Sequence, residues 1–145
     1  MNPNLIARAE IDIAASTSRV WSALVDPDAI KQYMFGTHVT SDFKAGGPIR
    51  WKGEWNGKAY EDKGMILEAE RERRLAYSHF SPLSGLSDTP ENYHNVRIEL
   101  EGKGNTTHVR LTQDNNADEK SREHSQKNWS MMLDGLKRFV EDPKG

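Results

Sequence analysis

Between Thr37 and Asp114 the chain is a succession of short runs in which apolar and polar residues alternate, each run closed by turn residues. Period-two alternation is the mark of a strand with one buried face. Links of only a few residues join such strands antiparallel, so the segment is constrained to a meander of consecutive hairpins. The turns fall at Ala45-Gly46-Gly47-Pro48, at Asn56-Gly57, around Arg71 to Arg73, and at Gly102-Lys103-Gly104-Asn105. Asn56-Gly57 is the most specific of them, because both residue types tolerate positive φ. The strands between them are expected at Thr37 to Phe43, Ile49 to Trp55, Lys58 to Ala69, Arg74 to Ser81, Tyr93 to Glu101 and Thr106 to Asp114. Ahead of them Leu5, Ala7, Ala9, Ile11 and Ile13 alternate with Arg8, Glu10 and Asp12, which adds a seventh.

The spacing changes in two places from two to three and four. Val20, Trp21, Leu24 and Val25 form one helical stripe, with Ser16 placed to cap it. Asp26-Pro27 closes that helix and opens another, Asp26 as cap and Pro27 at the first helical position, with Ile30, Tyr33 and Met34 on its apolar face. After Asn115-Asn116 the rest of the chain is helical, its stripe made by Trp129, Met132, Leu133, Leu136, Phe139 and Val140. Ser121, His124 and Ser125 interrupt the stripe in the first half of this helix, which therefore faces solvent or something polar. The segment Pro82 to Glu91, rich in Ser, Pro, Gly and Asp, is a surface loop. The reading is one α+β domain spanning residues 1–145: a curved antiparallel sheet of seven strands around a long C-terminal helix, with two short helices after the first strand.

Charge and composition narrow the function. Lys and Arg total 20 against 22 acidic residues, so no net field draws the chain to nucleic acid or to an acidic membrane. The chain has no cysteine, which removes disulfides, thiolate metal sites and thiol nucleophiles and is compatible with a reducing cytoplasm. Met1 to Ala9 lacks the features of a secretory signal, and no run of about 18 apolar residues exists to span a membrane. The expectation is a cytoplasmic protein without membrane or nucleic-acid partners.

The order of elements and several residues resemble the START-like superfamily of helix-grip domains, and within it the family related to the activator of the heat-shock-protein-90 ATPase. The resemblance rests on Val20-Trp21, Asp26-Pro27, Gly46-Gly47, Gly64 with Ile66 and Glu68, Arg74-Leu75 with Tyr77, Thr107 to Leu111, and Trp129 with Leu133, Leu136 and Lys137. Two positions depart from it: Asn128 stands where a glycine usually precedes the last-helix tryptophan, and His79 where an aromatic is common. What the resemblance implies is a cavity between sheet and helix that relatives use for lipids, polyketides, hormones or other apolar molecules.

Three functions follow as expectations. The first is binding of a small apolar or aromatic ligand, lined by Tyr33, Phe35, Trp51, Tyr77, His79, Ser125, Trp129 and Met132. Leu75, Tyr77 and His79 are spaced by two and share a face, taken as the one toward the helix. Trp51 meets Trp129 if the sheet grips that helix. The ordinary role of such residues is a filled core, since indoles are large enough to fill a small cavity outright and methionine serves as gap-filler. The second function, implied by the family, is contact with a chaperone whose ATPase it stimulates. The third, implied by the wider superfamily, is a cyclase or dehydratase in which His79 or Tyr77 moves a proton; a histidine hydrogen-bonded at the rim or in the core is the more ordinary reading. Neither a zinc pairing of the five histidines, nor a P-loop, nor a nucleophile elbow is present in the sequence, and no metal or cofactor is expected.

Overall fold

The computed structural model describes residues 2–55 and 57–142. In chain order the elements are β1 (Ala7–Ile13), α1 (Thr17–Leu24), α2 (Pro27–Tyr33), β2 (His38–Ser41), β3 (Pro48–Trp55), β4 (Lys58–Glu70), β5 (Arg74–His79), β6 (His94–Lys103), β7 (Thr106–Gln113) and α3 (Glu119–Glu141). The strands form one antiparallel sheet in the order β1-β7-β6-β5-β4-β3-β2. Strands β2 to β7 are thus the expected meander. The first strand closes the far edge against β7, and α1 and α2 carry the chain from that edge to the other.

Local chemistry sets the helix ends where the sequence placed them. Ser16 accepts a hydrogen bond from the Arg19 N–H at 3.2 Å, and Asp26 accepts from the Asp28 N–H at 3.0 Å with Pro27 following it. Asp118 accepts from the Ser121 N–H at 2.8 Å and starts α3. Each such cap satisfies a donor that the first turn leaves free, an effect of about 1 kcal/mol. Strand ends differ from the expected ones by one or two residues, among them β5, which stops at His79, and β6, which runs on to Lys103; β2 ends at Ser41 instead of running to Phe43, because Phe43 takes a φ of +53° and donates its N–H to the Ser41 hydroxyl at 2.9 Å. The Asn56-Gly57 turn is described only at Gly57, whose φ of +77° suits it, Asn56 lying outside the described residues.

The core lies on the concave face. Val96, Ile98 and Leu100 of β6, Val109 and Leu111 of β7, and Leu75 and Tyr77 of β5 are buried there, as are Met132, Leu133, Leu136 and Val140 of α3. Burial of each leucine contributes about 1.5–3 kcal/mol, which is what fastens α3 into the sheet. Gly135 lets α2 approach α3 closely, since a Cβ there would stand 3.2 Å from the Tyr33 carbonyl. This is the α+β helix-grip architecture, and among the described residues no helix is long and apolar enough to cross a membrane.

Candidate functional site

The polar end of the concave face is built by strand register. Trp55 pairs with Lys58, so Trp51 four residues earlier lies opposite Asp62. Between β4 and β5 a bulge intervenes: Ile66 pairs with Tyr77 but Glu68 with Ala76, leaving Leu67 as the extra residue. The bulge reverses the sidedness of β4 across this point. It turns Ile66 into the core and sends Glu68 to the outer face, where its carboxylate meets Arg74 and Arg97. It also brings Asp62 beneath His79.

His79 Nε2 lies 2.8 Å from Asp62 Oδ2, both side chains being largely screened from solvent. A carboxylate only accepts, so the His79 Nε2–H is the donor of this bond. The ring stands edge-on to Trp51 with centroids 5.0 Å apart, and Trp51 in turn packs against Tyr77 at 5.2 Å. On the other side His94, paired with His79 across β5 and β6, stacks on it at 6.2 Å. His94 Nδ1 donates to the Asp114 carbonyl at 2.9 Å, which leaves its Nε2 as the acceptor. Burial pushes the His94 imidazolium below the usual histidine range; the carbonyl bond opposes this and the neighbouring His79 adds to it. Asp62 Oδ1 is buried and receives no hydrogen bond among the described residues. A buried acceptor left so is costly, and it marks where a donor would be received.

Of the eight residues expected to line a cavity, Tyr33, Trp51, Tyr77 and Met132 do so together. His79 sits beside them through Trp51. The Tyr33 hydroxyl is turned away, donating to the Ala23 carbonyl at 2.8 Å, so only its ring faces inward. Trp129 donates its indole N–H to the Gln113 side chain, and Ser125 donates to Asn116 Oδ1 at 3.1 Å; both fasten α3 to the end of β7. Phe35, just past the end of α2 with a φ of +57°, is 66 % exposed and does not line the enclosed space. The space enclosed is about 20 Å³, room for about one water. Side chains of the protein itself fill the remainder, among them the partly exposed Met34 and Phe43.

Sequence reasoning missed Asp62 and His94. Asp62 was accessible in principle, since the turn at 56–57 fixes it opposite Trp51. The pairing of His94 with His79 was not, because a fourteen-residue connection between them transmits no register.

A larger hollow of about 630 Å³ lies on the outer face, between β4, β5 and β6 and the segment 81–93, lined by Lys63, Met65, Leu67, Tyr93 and Asn95 among others. It is open to solvent, and its charged groups are already spent on one another: the Lys63 ammonium meets Asp88, whose other oxygen accepts from the Tyr93 hydroxyl at 2.6 Å. The concave site, where a buried carboxylate oxygen receives no hydrogen bond among the described residues and aromatic rings stand close by, is the better candidate despite its smaller volume. Among the described residues no group of three histidine or carboxylate side chains is gathered as metal ligands.

The sequence profile described as activator of Hsp90 ATPase homolog 1-like protein matches residues 14–141. The chain belongs to this family. A protein of Cytophaga hutchinsonii solved in solution is 55 % identical, with 97 % of each chain covered and a TM-score of 0.84. The Aha1 dimer of Colwellia psychrerythraea is 22 % identical over 97 % of this chain and 98 % of its own, with a TM-score of 0.75. CalU16 of Micromonospora echinospora is 23 % identical over 96 % of this chain and 85 % of its own, with a TM-score of 0.69. At those identities the last two share the fold. Comparison with curated proteins gives no match.

Proposed function

We propose that this member of the family binds a small apolar or aromatic molecule between the sheet and α3, at the end marked by Trp51 and His79. The observation that carries the reading is an enclosed space walled by aromatic and aliphatic side chains, Tyr33, Trp51, Tyr77 and Met132 among them. Beside it His79 packs on Trp51 and holds Asp62, a carboxylate with one buried oxygen that receives no hydrogen bond among the described residues. Such a wall with one or two fixed polar groups is the usual composition of a small-molecule pocket. With about 20 Å³ enclosed, the ligand enters by displacing side chains, and the unbranched Met132 and Met34 are suited to yield. The absence of cysteine supports a cytoplasmic setting. The test is a thermal-shift and chemical-shift titration against aromatic molecules, fatty acids and sterols. A ligand of the folded state raises the melting temperature and shifts resonances of Trp51, Tyr77 and His79 saturably. If none of the panel does so, the reading falls.

A second reading comes from the family description, which names activation of the Hsp90 ATPase. What favours it here is the exposed pair Met65 and Leu67 on the outer face. Stimulation of a chaperone ATPase that is lost in Met65→Ser and Leu67→Ser variants supports it, and no stimulation by the intact chain disposes of it.

A further inference from the structure

We propose that Gln126, Lys137 and Glu141 of α3 close the β1 edge of the sheet to strand addition, and that the partner they exclude is the β1 strand of a second copy of this chain. In an antiparallel edge strand alternate residues turn their N–H and C=O away from the paired neighbour. On β1 these are Arg8, Glu10 and Asp12, with Ala14 just beyond. The Arg8 N–H donates to Gln126 Oε1 at 3.2 Å, the Asp12 carbonyl accepts from Lys137 Nζ at 2.9 Å, and the Ala14 N–H donates to Glu141 Oε2 at 2.8 Å. The three side chains come from one helix and are themselves tied. Arg122 donates to Gln126 Oε1 at 3.0 Å, and Lys137 meets Glu141 one turn on at 2.6 Å. All three bond main-chain atoms, the groups through which another strand would pair.

Of the two edges, β1 is the one that needs closing. The opposite edge, β2, has four residues and stops short of Phe43 with its positive φ, and so short an edge offers little to pair with. β1 has seven, and it carries the alternation Ala7, Ala9, Ile11, Ile13. Its sequence complements a second copy of itself. Antiparallel pairing about Glu10 sets Arg8 opposite Asp12 in both directions and, on the other face, Ala7 opposite Ile13 and Ala9 opposite Ile11, a small residue against a large one each time. The two Glu10 carboxylates meet, but each already accepts from Arg110 at 3.2 Å. In this register the Arg8 N–H pairs with the Asp12 carbonyl of the second copy, and those are the two groups that Gln126 and Lys137 occupy. The closure is independent of what the concave face binds.

Amide exchange of the wild-type protein tests the closure without a variant. Corrected for intrinsic rates, Arg8 and Ala14 are expected to exchange about 10-fold more slowly than Glu10 on the same edge, the scale of one hydrogen bond. Equal rates overturn the proposal. Gln126→Met combined with Lys137→Met keeps the unbranched stems and removes the groups that hold Arg8 and Asp12. Light scattering after gel filtration is expected to show the mass of this double variant rising with concentration toward twice the wild-type value, with the Glu10 amide newly protected. Glu10→Pro in that background removes the central donor at an edge position where proline is tolerated, and is expected to return the mass to the wild-type value. If the three side chains only anchored the helix, the double variant would lose stability with no concentration-dependent mass. A folded double variant whose mass equals that of the wild type at every concentration therefore overturns the proposal. So does association that persists with Glu10→Pro, because it runs through another surface.

Discussion

A Cβ built on Gly64 would stand 1.8 Å from the carbonyl oxygen of Ser78, so β4 and β5 approach each other at this point more closely than any side chain allows. The contact lies between Asp62 and the bulge at Leu67, next to where Lys63 and Phe80 exchange backbone hydrogen bonds at 2.8 and 3.0 Å. It holds the strand segment that presents Asp62 to His79. Since backbone, not a flexible side chain, occupies the space, Gly64→Ala forces the strands apart. Overpacking of this kind costs about 1–3 kcal/mol, read from the midpoint of urea unfolding. The His79 resonances shift in the same variant, whereas Gly102→Ala, whose Cβ would meet only the Thr17 methyl group at 3.2 Å, leaves them in place.

The buried His94 makes stability depend on pH in a stated direction. Burial lowers the proton affinity of the folded ring beneath its ordinary value of 6.5. Below that value the unfolded chain binds a proton that the folded chain refuses, so stability is fully present above about pH 6.5 and declines as pH falls toward the folded value. His94→Gln removes this contribution. The difference in unfolding midpoint between wild type and variant should therefore change between about pH 7.5 and about pH 5.5, the wild type losing more on acidification. Parallel curves would show that the ring is free to protonate in place.

Trp129 ties α3 to β7 through its indole N–H and the Gln113 side chain, which is itself buried. Trp129→Phe keeps most of the ring but leaves the Gln113 oxygen without its donor. The expected loss is about 1–3 kcal/mol, measured by chemical denaturation. Adding Gln113→Leu replaces the stranded acceptor by an apolar group and should recover part of it, a non-additivity that a double-mutant cycle detects.

How much of this was legible in the sequence depends on what sets each relationship. Tight turns fix register: pairing of Trp55 with Lys58 carries through to Trp51 opposite Asp62, and the seven strands follow from alternation and turn chemistry alone. The bulge is different. Gly64, Ile66 and Glu68 are spaced by two and read as one face, yet the extra residue Leu67 places Ile66 in the core and Glu68 among surface arginines. Alternation has no term for an inserted residue, so any face assignment carried across it inverts. The His79–His94 stack rests on pairing across a long connection, and the filling of the cavity on side-chain volumes meeting in three dimensions. Neither quantity is present in a one-dimensional pattern. Phe35 shows the same limit: it was expected to line the cavity, and the positive φ and 66 % exposure it has just past α2 are not signalled by its residue type or spacing.

The segment 81–93, which joins His79 to His94, is latched at its middle by Asp88, whose carboxylate takes the Lys63 ammonium on one oxygen and the Tyr93 hydroxyl on the other. Hydrogen bonding to Lys63 and then to Tyr93 holds the Asp88 carboxyl below its usual range, and the same bond to Asp88 raises Lys63. All of these groups are solvent-accessible, so the latch is salt-sensitive and adds little to global stability. Its effect is local. Asp88→Asn should leave the melting temperature unchanged while speeding amide exchange across 82–92, with exchange at Val96 and Ile98 in the sheet unaffected. In the wild type the protection persists as pH falls through the ordinary carboxylate value and is lost only at the lower folded value, the direction required of a depressed acid. Because the segment connects the two histidines, loosening it should also broaden the resonances of His79 and His94. Sharp, unshifted histidine signals in Asp88→Asn would show that strand pairing alone fixes the stack.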